Sequence, residues 1–465
     1  MLVYRFELTQ AFRKSPDAFS GVLTELRLPN DHELIGLVFF LYHSIVKITF
    51  FFQLLLYLLD NQSVHAMKLW SLSSNLHSEI RVKATEEPFI KDIEAAAGIR
   101  FEDFGDDFST YTGASNEFIY IRTGGTEGMF KRVHEGKPAR LITSGRSNSL
   151  AASMEILSYL RQKGISGDIL HGSPEEIAQA MRRPVHMGSS RLIRDFGSYG
   201  PLLSGKRYGV IGKPSDWLIS SGTDYKKVYD RLGAELIDIP ISELTAAIEL
   251  SSRDIPTGLK AMNLPKYGRP ISERDFGLAA GIYWALKGII AKYRLDGFTL
   301  RCFDLLTSVG NTGCLALSLL NTEGTIATCE GDIPAMMSMA AGKALFGVDG
   351  FQANLSRIEG DRMLFAHCTV PISAVADYCY DTHFESGIGV GIHGEFPAPS
   401  KAILFKLAPK CREFICEEVE IEANQYEDNL CRTQVWIKST GDLRDYMLGS
   451  PLGNHHIIFC NPRSL

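Results

Sequence analysis

The stretch ARLITSGRSNSLAASMEILSYLRQKG, residues 139–164, shows the repeating pattern that predicts the architecture of the first part of the chain. Residues 139–143 form a short apolar run, which is typical of a buried strand. After a small polar loop, apolar side chains recur on one face of a predicted helix over 150–162, and Gly164 is its stop signal. Short apolar strands that alternate with helices indicate a parallel sheet covered on both faces.

The same alternation extends along the chain from Met67, which opens a predicted strand. It stops at a long loop, restarts near residue 206 and runs to about residue 296. The patterns predict two doubly wound α/β domains, at 67–205 and 206–300. The supporting segments are strands at 118–122, 168–171, 208–211 and 234–239, helices at 225–232 and 276–293, a helix start at Ser173-Pro174 and a long loop at 251–270.

The pattern changes in the last third of the chain. A helix is predicted over 334–345, but the later segments 402–407, 414–421 and 433–438 are β-rich. We therefore expect a mixed α+β domain over 301–465 that ends in antiparallel sheet. The predicted fold class is α/β, with two doubly wound parallel-sheet domains followed by an α+β C-terminal catalytic domain.

Composition and charge exclude several classes of protein. The chain has 465 residues, 45% hydrophobic and 22% charged, which is the composition of a globular protein too long for one core. Its net charge of −6 comes without a basic stripe, so we expect no nucleic-acid partner. All nine cysteines lie between Cys302 and Cys460, and no C-x-x-C pair occurs. These features predict a reducing compartment, the cytoplasm, and a separate C-terminal unit.

The segment before Met67 carries the run IGLVFFLYHSIVKITFFFQLLLYLL at 35–59, in which Lys47 is the single charged residue. The run is long enough to span a bilayer. It begins late for a signal peptide, and no small-residue cleavage site follows it. We expect residues 1–66 to be a gene-model extension or a disordered tail, with a membrane anchor as the alternative.

Three clusters in the C-terminal third could carry chemistry, and one of them runs from 351–354 through 367–371. Glu330 and Asp332 follow the strand-like segment 324–328, and a continuing strand would point both carboxylates to one side, where they would suit a hard divalent cation. The alternative is an acidic helix N-terminus. His455 and His456 are adjacent in a glycine-bordered turn, where one could bind a metal while the other packs or contacts substrate. An ordinary surface turn is the alternative there.

Read in order, several segments resemble the L-fucose isomerase and L-arabinose isomerase superfamily. The resemblance covers roughly residues 67–465 and is much better from Arg301 onward. Its segments are RTGGTEG (122–128), RCFDLL (301–306), CEGDIPAMMSM (329–339), FQANLSRI (351–358), AHCTVP (366–371), HFESG (383–387), CRTQ (431–434) and PLGNHHIIF (451–459). It implies a metal-dependent aldose–ketose isomerase, with Mn²⁺ or Mg²⁺, and a homo-oligomer (trimer or hexamer) whose active site lies at a subunit interface.

The resemblance also implies roles for individual residues. Glu330 matches the glutamate that serves as metal ligand and acid–base group, and His455 matches a histidine ligand. His367 falls where arabinose isomerases keep a further histidine. Asn354 stands in place of the second acidic ligand. Because an amide cannot exchange a proton near neutral pH, that acid–base role must move elsewhere. Asp332 is the favoured candidate, and the alternatives are Asp304 and Glu385.

The expected substrate is a monosaccharide such as L-fucose or a related pentose or hexose, isomerised through an enediol. Candidate contacts to it share a place in the quoted motifs: Thr123, Gly124, Gly125, His383, Glu385, Arg432, Gln434, Asn454 and His456. Gly124-Gly125 could instead form a plain turn, and Arg432 and Gln434 could pair across a sheet. There are two alternative functions. One is a metal-dependent sugar epimerase or lyase, and the other is a sugar-binding protein without turnover.

Overall fold

The computed structural model describes residues 67–74, 79–185, 188–257, 259 and 270–461. The predicted extension at 1–66, with its apolar run at 35–59, lies outside the described residues, and so does most of the predicted loop at 251–270. Across the described ranges, no helix combines the length and the apolar character that crossing a membrane requires.

The first sheet has five parallel strands in the order β2-β1-β3-β4-β5. They are β1 (Met67–Leu72), β2 (Phe101–Gly105), β3 (Glu117–Ile121), β4 (Ala139–Thr143) and β5 (Gly167–His171), with helices α1 (Glu79–Ala97), α2 (Glu127–Val133), α3 (Ser149–Gln162) and α4 (Pro174–Met181). The helix start predicted at Ser173-Pro174 is confirmed, because Ser173 and Glu176 form a capping box there. The two-residue strand β6 (Arg194–Asp195) follows and joins another sheet.

Helices cover both faces of this first sheet. Phe118 and Tyr120 of β3 pack in the apolar cluster that contains Ile177 of α4. Ile119 and Ile121, the alternate residues of the same strand, pack in the cluster that contains helix α3. This two-sided burial explains why the parallel strands read as continuous apolar runs.

The second sheet has four parallel strands in the order β10-β9-β7-β8. They are β7 (Arg207–Ile211), β8 (Glu235–Ile239), β9 (Gly297–Leu300) and β10 (Ile326–Cys329), with helices α5 (Tyr225–Leu232), α6 (Ile241–Leu250), α7 (Glu273–Tyr293), α8 (Asp304–Ser308) and α9 (Cys314–Thr322). Strand β10 lies beyond residue 300, so this sheet extends past the predicted domain end. The sequence shows no boundary there because β10 is a short apolar strand like its neighbours.

The third sheet is antiparallel, as predicted for the C-terminal part, and it closes on itself. Its order is β15-β18-β11-β12-β17-β16, and β15 also pairs with β16, so six strands form a barrel. The new elements are α10 (Ile333–Phe346), β11 (Gly350–Glu359), β12 (Arg362–His367), β13 (Asp377–Asp381), β14 (Gly391–Glu395), β15 (Ser400–Leu407), β16 (Glu413–Gln425), β17 (Thr433–Lys438), α11 (Gly441–Gly449) and β18 (His456–Cys460).

Two further pairings complete the antiparallel part. Strand β6 adds to the outside of the barrel on β16, and β13 and β14 form a separate hairpin. Strand β6 belongs to the range 67–205 but pairs with the barrel, because the chain crosses to it after the first sheet is complete. The nine cysteines, all in the described part, are free thiols.

Helix α10 packs closely against the barrel through a glycine. Gly342 is buried, and a Cβ at this position would overlap the ring of Phe459 in β18. Gly288, in α7, has nothing within 4 Å of the same point. The two glycines therefore differ in what surrounds them, although both lie inside helices.

This contrast predicts opposite effects of the same substitution. Gly288→Ala should stabilise the protein by about 0.4–1 kcal/mol, because alanine reduces the entropy of the unfolded chain. Gly342→Ala should destabilise it by roughly 1–3 kcal/mol, because the added methyl group displaces Phe459. Thermal or urea unfolding of the two variants tests this expectation. Equal shifts in the same direction would contradict the close packing of α10.

Candidate metal centre and active site

Glu330 lies where the chain leaves the second sheet. Strand β10 ends at Cys329, and Glu330 has a left-handed φ of +66°. Gly331 follows with a φ of +69°, and a Cβ there would lie 2.6 Å from the carbonyl oxygen of Lys213. The expectation that the strand continues to Asp332 is therefore wrong, because this tight turn ends the alternation of side chains.

Glu330 meets two histidines from the barrel. His367 is the last residue of β12, and His455 lies in the turn just before β18. The Oε1 atom of Glu330 lies 3.3 Å from Nε2 of His455 and 3.9 Å from Nε2 of His367. One potential ligand atom from each of the three residues lies within 4.8 Å of the others, so this buried group could hold a metal ion.

In both histidines, the Nδ1 atom contacts a neighbouring side chain, which fixes the orientation of the imidazole ring. Nδ1 of His455 lies 2.8 Å from Oδ2 of Asp332, and Nδ1 of His367 lies 2.8 Å from the hydroxyl of Thr369. These contacts leave each Nε2 facing Glu330, which is the orientation that metal-binding histidines adopt. The indole of Trp217 donates a 2.6 Å hydrogen bond to Oε2 of Glu330 and fixes the other carboxylate oxygen.

Charge complementarity stabilises this arrangement. Burial by itself would raise the pKa of Glu330, but the adjacent imidazoles of His455 and His367 hold that pKa well below its ordinary value. Burial would likewise lower the pKa of His455, yet Glu330 and Asp332 raise it to about 10. The imidazole of His455 thus lies between two carboxylates that favour its charged form.

The donor atoms fit a divalent cation. Within the described part of the chain, Nε2 of His455 and Oδ1 of Asn354 are buried and make no hydrogen bond. Buried polar atoms without partners are rare in proteins, and an ion held by the cluster would satisfy Nε2 of His455. A carboxylate and two imidazoles form a mixed oxygen and nitrogen set that suits a hard or borderline divalent metal.

A narrow cavity adjoins this cluster. Glu385 lies in its wall, with Oε1 accepting a 3.0 Å hydrogen bond from Asn148 and Oε2 lying 3.5 Å from Nε2 of His383. Burial, and then the charge of Glu330, raises the pKa of Glu385 to about 8, although the bond from Asn148 acts in the opposite direction. The lining residues are Gly124, Gly125, Glu127, Asn148, Ala151, Ala152, Trp217, Phe303, Glu330, Asn354, Glu385 and Asn454.

The two predicted catalytic aspartates do not line the cavity. Asp332 is fully buried, caps α10 by accepting a hydrogen bond from the amide of Ala335, and faces Nδ1 of His455. Asp304 begins α8 and forms a 3.0 Å ion pair with Arg301. These contacts favour structural or positioning roles over the acid–base role that the sequence suggested.

Several side chains predicted to contact substrate instead form hydrogen bonds or ion pairs within the protein. The Thr123 hydroxyl accepts from the amide of Ser74 and donates to the carbonyl of Gly124. Other side chains bond to the loops around the hairpin and barrel: Arg432 to Thr382 and Asp381, Gln434 to the backbone of Glu427, and His456 to Tyr446. The cavity is lined by Gly124, Gly125, Glu385 and Asn454. His383 contacts the side chain of Glu385.

Six residues of the cavity wall lie outside the predicted set of site residues: Glu127, Asn148, Ala151, Ala152, Trp217 and Phe303. Glu127 and Asn148 end the polar loops that follow β3 and β4, and the ends of parallel strands are a known place for ligands. Trp217 gave no signal, because a single tryptophan in a loop has no pattern around it.

Comparison with known proteins gives a distant relationship. No family model matches the chain. Two relatives are sulfoquinovose isomerases, from Priestia aryabhattai and Priestia megaterium (strain ATCC 12872 / QMB1551), each 21% identical over 253 residues. The aligned part is 53% of this chain and 54% of each relative, so the chain spans about half the length of the curated relatives it matches. The similarity is to sugar isomerases, and the superfamily that the motifs suggest stays a prediction.

Proposed function

We propose that this protein is a metal-dependent aldose–ketose isomerase that converts a monosaccharide through an enediol. The observation that carries the proposal is the buried cluster of Glu330, His367 and His455. Glu330 belongs both to this cluster and to the wall of a cavity that contains a second carboxyl group, Glu385. The distant similarity to sulfoquinovose isomerases supports the same class of reaction.

Glu330, His367 and His455 would hold the cation, together with the amide oxygen of Asn354. We propose manganese or magnesium, because oxygen and imidazole ligands suit both ions. When bound, such an ion polarises the carbonyl and hydroxyl oxygens of the sugar. The buried, orphaned oxygen of Asn354 supports its place in this group.

Two of the three carboxyl groups in the cavity wall, Glu330 and Glu385, have pKa values shifted in opposite directions, as expected for a base and an acid. The pKa of Glu330 is lowered and that of Glu385 is raised to about 8, so one is ionised and the other holds a proton near neutral pH. In the forward reaction, Glu330 takes the proton from C2 while Glu385 gives its proton to the oxygen on C1, which forms the enediol. Glu385 then takes the proton from the oxygen on C2, and Glu330 returns its proton to C1.

This scheme assigns to Glu385 the proton-exchanging role that Asn354 cannot perform. Asp332 becomes a positioning residue, because its carboxylate contacts Nδ1 of His455 and not the cavity. It keeps the imidazole turned so that Nε2 faces Glu330.

The direct test incubates the full chain with Mn²⁺ and a panel that contains L-fucose, D-arabinose, L-arabinose and sulfoquinovose, followed by detection of the ketose. We expect turnover of at least one aldose, loss of turnover after chelation and recovery when Mn²⁺ is restored. Stoichiometric metal without any isomerisation would contradict the proposed reaction and favour another metal-dependent sugar reaction.

Metal content should depend on the cluster residues. Glu330→Gln removes the charge while keeping the shape of the side chain, and His455→Ala removes a ligand. Both should lose bound metal and turnover together, as measured by elemental analysis and rate assays. Asp304→Asn is the matched control, because Asp304 pairs with Arg301 outside the cavity. Retention of stoichiometric metal in both cluster variants would show that the site is misassigned.

Glu385→Gln and Asp332→Asn should fail in different ways. Glu385→Gln should keep the metal but lose roughly 10²–10⁴-fold in kcat, because it removes the proton-exchanging group. Asp332→Asn should weaken metal binding by about 10–100-fold and recover turnover at high metal concentration, as expected of a group that orients a ligand. If Asp332→Asn stayed inactive when fully loaded with metal, the catalytic role would return to Asp332.

A further inference from the structure

Besides Oδ1 of Asn354, two further buried oxygen atoms of the cavity wall have no hydrogen-bond partner among the described residues: Oε2 of Glu127 and Oδ1 of Asn148. Glu127 is 2% exposed and Asn148 is 8% exposed. Neither belongs to the cluster of Glu330, His367 and His455. Buried oxygens of this kind are destabilising unless a ligand or water supplies a hydrogen bond.

The backbone holds these two side chains in neighbouring loops. Glu127 begins α2 after the loop that follows β3, and Asn148 ends the loop that follows β4. The loops touch, because the amide of Gly124 donates a 2.8 Å hydrogen bond to the carbonyl of Ser147. A Cβ on Gly124 would lie 2.9 Å from Cβ of Asn148, so only glycine permits this approach.

The side chains of Asn148 and Glu127 each already form hydrogen bonds within the protein. The Nδ2 atom of Asn148 donates to Glu385, which leaves its Oδ1 as the free atom. Burial raises the pKa of Glu127 well above its ordinary value, and the charges of Glu155 and Glu330 raise it further. Hydrogen bonds from the loop amides act in the opposite direction. A neutral carboxylic acid can both donate and accept a hydrogen bond, as a sugar hydroxyl can.

We propose that Glu127 and Asn148 form a hydroxyl-binding subsite, which holds sugar hydroxyls remote from the reacting carbons. This inference rests on the proposed function and adds to it the residues that select the sugar. The free oxygen of Asn148 accepts a hydrogen bond from a sugar hydroxyl group, and Glu127 can donate or accept one. Because Asn148 also bonds to Glu385, a sugar bound there is aligned with the acid–base group.

The test compares Glu127→Ala and Glu127→Gln in the Mn²⁺-loaded full chain, with the best aldose of the panel and its monodeoxy analogues. Glu127→Ala should raise KM about tenfold for the aldose, and Glu127→Gln should largely retain binding because an amide keeps both a donor and an acceptor. With the analogue that lacks the bound hydroxyl, the parent and Glu127→Ala should have similar KM values.

A binding measurement separates this inference from the proposed reaction. Calorimetry with L-fucitol and L-arabinitol reports affinity without turnover. If the parent binds an alditol but isomerises no aldose, and Glu127→Ala weakens binding about tenfold, the subsite stands and the isomerase proposal fails.

Equal weakening of the aldose and every deoxy analogue, or no weakening at all, would overturn the subsite. Asn148→Gly provides a second variant in case Glu127→Ala does not fold, because glycine adopts the φ of +60° found at Asn148 without strain. It should also weaken alditol binding about tenfold, and unchanged affinity in this variant would overturn the inference as well.

Discussion

A buried imidazole between two carboxylates is the interaction on which the site depends. His455 lies 3.3 Å from Glu330 and 2.8 Å from Asp332, and its side chain is fully buried. Removal of either carboxylate would leave an uncompensated buried charge, so the three groups stabilise each other only as a set. A divalent cation would take the place of the proton on the side of Glu330 and leave Asp332 to orient the ring.

A further buried carboxyl group, Glu155, helps to hold the loops that carry these residues. Glu155 of α3 accepts a 2.7 Å hydrogen bond from the amide of Ser220, in the loop that carries Trp217. A Cβ on Gly453 would lie 3.3 Å from Oε2 of Glu155 and 3.5 Å from Nζ of Lys406, so that turn is held between a carboxylate and an ammonium group. The loops that carry Trp217 and His455 therefore both pack against Glu155 of helix α3.

The chain stores backbone strain at the point where the chemistry is proposed. Glu330 adopts a left-handed conformation that is unfavourable for a residue with a Cβ, and its carbonyl accepts a hydrogen bond from the amide of Ser215. Gly331 then passes close to the backbone of Lys213. The turn lifts the carboxylate of Glu330 out of the sheet and toward the barrel, where His367 and His455 meet it.

Local sequence patterns predict the individual elements well, because apolar periodicity, caps and glycine turns act over a few residues. Strand 139–143, helix 225–232 and strand 433–438 match the structure. Motif order also brought Glu330, His367 and His455 into one hypothesis. The folded arrangement alone closes the antiparallel strands into a barrel and adds β10 to the second sheet. It also placed Asp332 behind His455 and brought Glu127 and Asn148 to the cavity, since these contacts join residues far apart in the chain that no local pattern relates.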